Sequence, residues 1–104
     1  MFARILEMNA KKGQAHALCA AVEKRGMAAC AKYAGFVDGL AFVAEDNPET
    51  VLAVSFWKNR EAAEKFRIEG YPAVADAYRP FLDGEIHVRG FDVALPGVYK
   101  AKAA

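Results

Sequence analysis

The opening stretch FARILEMN alternates: Phe2, Leu6 and Met8 stand at every second position on one side, with Arg4 as the polar member of the same row. That period of two predicts a strand with one inward face, and AKKG (Ala10–Gly13) reads as the turn after it. From Gln14 to about Tyr33 the period changes. Leu18, Cys19, Val22, Met27, Cys30 and Tyr33 recur near helical spacing, interrupted by Gly26, and Gly35 stops the run. FVDGLAFVAED (Phe36–Asp46) predicts a second strand bending at Gly39, NPET (Asn47–Thr50) a turn, and VLAVSFW (Val51–Trp57) a third strand paired with the second as a hairpin. Asn59 is placed to cap a helix through about Glu69, with Gly70 past its end. Pro72 suits the first turn of another helix with Tyr71, Val74, Ala75, Tyr78 and Leu82 on its apolar stripe, and Pro80 ends that helix near Arg79. Gly84 leads into a fourth strand, EIHVRGFDVAL, and PGVYKAKAA forms a short tail.

The resulting order is β-α-β-β-α-β with the second helical region split, which is an α+β, ferredoxin-like antiparallel sheet. All 104 residues form a single domain, with a core over about 2–94 and a tail over 95–104. The second and third strands are apolar at both parities. Helices can cover only one face of such a sheet, so the other face needs a partner, most simply a second copy of the chain.

Composition narrows the function. The chain is 55% hydrophobic and 26% charged with a net charge of +1, and acidic and basic residues are interleaved. Without a basic block, binding to nucleic acid or to an anionic membrane is not expected. The N-terminus, with Arg4 and Glu7 inside its apolar stretch, is neither a secretory signal nor a membrane span, so a cytoplasmic location is expected. Cys19 and Cys30 on one helix would be ~16 Å apart, too far to bond, and no spacing of Cys or His suggests a metal site. No cofactor motif is present.

The segments VSFWKNREAAEKF and AYRPFLDG, followed by a last strand, resemble the antibiotic biosynthesis monooxygenase family of the dimeric α+β barrel superfamily. The resemblance spans about Phe2 to Val93. It implies a homodimer whose sheets face each other and a pocket in each protomer between sheet and helices. It also implies either cofactor-free oxidation of phenolic or quinol-type molecules, haem degradation, or action on small signal molecules. The positions matching the haem-degrading branch's asparagine, tryptophan and histidine are Leu6, Phe66 and Asp76, which argues against that branch.

Cofactor-free oxidation needs a base, an apolar cavity that keeps water out, and one or two polar groups inside it. The resemblance puts Phe2, Arg4, Leu6 and Met8 on the pocket side of the first strand, with Arg4 suited to hold a phenolate or carboxylate. His87 is the candidate base, sharing a face of the last strand with Arg89, Phe91 and Val93. Trp57, Phe66, Tyr71 and Tyr78 are the candidate wall, and His16, off the helical stripe, is expected in solvent. Each has a packing alternative: a snorkelling Arg4, a surface His87, Tyr71 and Tyr78 as core, Trp57 as the seal of the strand–helix junction. The rival to an enzyme is a non-catalytic ligand-binding or stress-related barrel. A cavity on the order of a few hundred Å3 separates the two.

Overall fold

A computed structural model describes residues 1–94. Its strands are β1 (Phe2–Asn9), β2 (Phe36–Val43), β3 (Thr50–Trp57) and β4 (His87–Asp92). Helix α1 (Ala15–Ala21) runs through a π-helical stretch, Val22–Met27, into α2 (Ala28–Cys30); α3 (Arg60–Glu69) and α4 (Tyr71–Tyr78) follow β3, and a 3₁₀ turn covers Arg79–Phe81. The four strands form one antiparallel sheet in the order β2-β3-β1-β4, the ferredoxin-like arrangement, with the helices on one face.

Register follows from the alternation in β1. Phe2, Leu6 and Met8 lie opposite Trp57, Ala53 and Val51, and all six are buried beneath the helices. Leu18, Val22 and Cys30 descend from the first helical region and Phe66, Val74 and Tyr78 from α3 and α4 to close the core. Local chemistry sets the boundaries. The Asn59 side chain accepts a hydrogen bond from Ala62 N at 2.9 Å and so caps α3. Pro80 limits α4 to Tyr78 and turns the chain into the 3₁₀ segment.

Two local expectations are corrected. The irregularity in β2 falls between Phe36 and Asp38, not at Gly39. Gly39 is small for a different reason: the Met27 side chain lies across its backbone where a β-carbon would stand. Gly26 does not break the helix but sits in the π-helical stretch, packed beneath the Tyr78 hydroxyl.

Among the described residues no helix covers the sheet's other face. Leu40 and Phe42 alternate with the helix-side Ala41 and are 49% and 50% exposed, and Phe91 on β4 is exposed on the same side. Among the described residues no helix is long and apolar enough to cross a membrane. The tail over 95–104 lies outside the described residues.

Candidate functional site

A cavity lies between the helix-side face of the sheet and helices α3 and α4. Its floor is Arg4, Leu6, Ala53, Ser55 and Val88; its walls are Trp57, Phe66, Tyr71, Val74 and Tyr78; Gly26, Met27 and Cys30 close it from the first helical region. Each floor residue is there by strand parity, since residues directly opposite in neighbouring strands share a face. Arg4 lies between Ser55 on β3 and Gly90 on β4, and Leu6 between Ala53 and Val88.

The walls are aromatic and interlocked. Trp57 is fully buried, its ring stacked on Phe66 at 5.4 Å between centroids and met edge-on by Phe36 at 5.4 Å. Its indole Nε1 donates to Ser55 Oγ at 2.9 Å, so the ring is held in orientation as well as packed. Trp57 therefore seals the strand–helix junction and faces the cavity at once. Tyr33 packs edge-on against Phe66 at 5.2 Å and braces it from behind.

The free space inside is small: about 40 Å3 is open to water, room for a few molecules rather than the few hundred Å3 expected of a full ligand cavity. A wider groove of about 540 Å3, lined by Tyr71, Ala75, Arg79, Leu82, Gly84, Glu85 and Ile86, adjoins it, and Tyr71 belongs to both. Tyr71 thus lines both the tight aromatic chamber and this open vestibule.

The chamber's charged lining residues are two arginines, Arg4 from the floor and Arg67 from α3. Arg4 Nη2 donates to Glu64 Oε2 at 3.0 Å, and Arg67 Nε donates to Glu64 Oε1 at 2.6 Å. These hydrogen bonds, Arg67's first, hold the Glu64 carboxyl below its ordinary pKa. Arg4 Nε is buried with no hydrogen-bond partner among the described residues, a deficit of about 1–3 kcal/mol. Glycine makes room for this guanidinium: a β-carbon at Gly90 would stand 3.0 Å from Arg4 Nη1 and 2.6 Å from the Phe2 ring. Burial pushes the Tyr78 phenol well above its ordinary value, with Cys30 and Tyr71 adding to the shift. Burial also raises Tyr71, opposed by Arg79, and takes the Cys30 thiol up to about 12. Both cysteines are free.

Five of the six candidate residues, Arg4, Trp57, Phe66, Tyr71 and Tyr78, are brought together here. His87 is not. It is exposed opposite Glu7, and that parity puts it on the face away from the helices, while its neighbour Val88 lines the chamber. The placement of His87 as the pocket base is corrected by one step of strand register. Three participants escaped the sequence reading: Ser55, Glu64 and Arg67. The signal for the last two was present, because Glu64 and Arg67 are three apart in α3 and flank Phe66. His16 is exposed.

The family model for antibiotic biosynthesis monooxygenases matches residues 1–71, which is more than half of the chain. The chain belongs to the antibiotic biosynthesis monooxygenase family. No curated protein matches it. Solved structures share its fold at low identity. A Deinococcus radiodurans protein described as an antibiotic biosynthesis monooxygenase is 15% identical, with a TM-score of 0.78 over 97% of this chain and 100% of that one. A variant of SnoaB, a cofactor-independent oxygenase from Streptomyces nogalater, is 17% identical, with a TM-score of 0.76 over 92% of this chain and 97% of that one. Rv0793 from Mycobacterium tuberculosis is 13% identical, with a TM-score of 0.75 over 93% of this chain and 98% of that one.

Within this antibiotic biosynthesis monooxygenase fold, the residues do not suit haem. Leu6 and Phe66 line the chamber as apolar groups, and Asp76 is exposed on α4, paired with Arg79. No imidazole lines the chamber to serve as an axial ligand. Among the described residues no cluster of three or more His, Cys, Asp or Glu could hold a metal ion.

Proposed function

We propose that the chain is a cofactor-independent oxygenase that holds a small phenol- or quinol-like molecule in the aromatic chamber and oxidises it with O2. The observation that carries this reading is the convergence of Trp57, Phe66, Tyr71 and Tyr78 on one apolar space whose floor offers Arg4, a cation with a buried, unpartnered Nε. Arg4 takes an acceptor oxygen of the ligand, and the rings exclude water from the reacting carbon. Tyr78, kept protonated by burial, donates a hydrogen bond and does not act as the base. The aromatic ring supplies the electrons. One atom of O2 ends on the ring as a carbonyl, and the other leaves as water with the phenolic hydrogen and one ring hydrogen. SnoaB, a cofactor-independent oxygenase of the same fold, supports the assignment. Because the chamber is narrow, the ligand enters from the vestibule by displacing Tyr71.

Oxygen uptake with a panel of phenols and hydroquinones tests the reading. Turnover is expected in the wild type, a loss of about a hundredfold in Arg4→Met, and no change in His87→Ala, whose ring lies on the other face of the sheet. Absence of uptake across the panel would remove the oxygenase assignment. Two observations favour a second reading, a ligand-binding barrel without catalysis: the chamber's free space of about 40 Å3 falls short of the few hundred Å3 that separates the two readings, and no carboxylate or imidazole lines it to accept a proton. Saturable ligand binding with no oxygen uptake would select it.

We further propose that two copies pair through the sheet face away from the helices. The support is its exposed apolar residues, Leu40 and Phe42 on β2 and Phe91 on β4, positions that water-facing strands would carry as polar residues.

A further inference from the structure

The rim of the chamber carries a charge pattern that the oxygenase reading does not itself require. Glu64 spends both oxygens, Oε2 on Arg4 at 3.0 Å and Oε1 on Arg67 at 2.6 Å, so one carboxylate is shared by two guanidinium groups. Both arginines line the cavity, and the three side chains together hold one positive charge in excess. Farther along β1, Arg60 lies over the Phe2 ring at 5.5 Å and Asp92 stands opposite Phe2, adding one charge of each sign and leaving the excess unchanged. Arg4 lies over the same Phe2 ring at 5.0 Å, a cation–π contact that draws the guanidinium toward the strand. Its Nε is the donor left over, buried and without a partner among the described residues. Everything else that faces the chamber is apolar or uncharged.

We propose that Arg4, Glu64 and Arg67 form a carboxylate-reading rim, so that the chamber selects aromatic acids over neutral aromatics of the same shape. The proposal rests on the reading of the chamber as an aromatic-ligand site and adds the ligand's charge to it. A neutral phenol can occupy the aromatic walls but leaves the excess cation unmatched. An acid of similar size brings its carboxylate to the Arg4 and Arg67 guanidinium groups that line the cavity, making charge-assisted hydrogen bonds that a neutral ligand does not. Glu64 then acts as the resident counterion that fixes both arginines in the empty site. It is a positioning residue, and discrimination comes from the two cations it holds.

Titration calorimetry with para-hydroxybenzoate and its neutral isostere para-hydroxybenzamide reads this selectivity independently of turnover. The wild type is expected to bind the acid about tenfold more tightly than the amide. Arg4→Met is expected to bring the two affinities together. Arg67 is 48% exposed, so Arg67→Gln is expected to keep the fold and to cut the preference severalfold. Equal affinities in the wild type, or an undiminished preference in Arg67→Gln, would overturn the rim proposal while leaving the aromatic chamber standing. Failure of both ligands to bind would overturn the chamber reading and the rim with it.

Discussion

Gly26 shows how one missing β-carbon shapes the chamber. The Tyr78 hydroxyl rests on the Gly26 backbone, so any side chain there must displace a fully buried ring. Replacing glycine by alanine in a helix ordinarily stabilises by up to about 1 kcal/mol, but here the steric cost is larger. Gly26→Ala is expected to destabilise the fold by about 1–3 kcal/mol in chemical denaturation, because the buried Tyr78 ring must shift to admit the β-carbon. Gly90 does the same service for Arg4 on the sheet side. Neither role was readable in advance. The sequence marks Gly26 only as a break in helical spacing, and what overlies it comes from α4, some fifty residues on. Arg4, by contrast, was legible, because a charged residue in an otherwise apolar strand row must find a partner or a purpose. His87 was misplaced because β4 carries apolar residues at both parities, so the strand alone does not say which row faces the helices.

Secondary structure was legible where short-range chemistry decides it. Asn59 as cap, Gly70 after α3 and Pro72 opening α4 all act within a turn of where they stand. Asn59→Ala is expected to cost about 1 kcal/mol, since it orphans Ala62 N at the start of α3. The loss should appear as a shifted midpoint with an unchanged denaturant slope. Other features depend on distant packing and did not show. The π-helical stretch Val22–Met27 adds a residue per turn that brings Gly26 under Tyr78 and Met27 over Gly39, contacts made with α4 and β2. The β2 irregularity sits between Phe36 and Asp38 because Phe36 must meet Trp57 while Leu40 and Phe42 keep to the opposite face.

At the scale of the whole molecule, two faces of one sheet have separate tasks. One carries the aromatic chamber under the helices. The other presents Leu40, Phe42 and Phe91 to water, where an isolated protomer gains nothing from them. The two-sided apolarity of β2 and β3 was visible in the sequence, and among the described residues no helix covers that second face. Sedimentation at micromolar concentration is expected to give a dimer, and Phe42→Asp to give a folded monomer. A wild-type monomer would remove the pairing and leave the chamber untouched.

The chamber itself is the central claim, and Trp57, the chain's only tryptophan, is built into its wall. Its emission, followed during anaerobic titration with a small hydroquinone, reports occupancy directly. A saturable change in wild type, retained in His87→Ala and weakened in Arg4→Met, is the result this account predicts. A change that rises linearly without saturating, the same in all three proteins, would mean that the ligand only collides with the surface, and would contradict it.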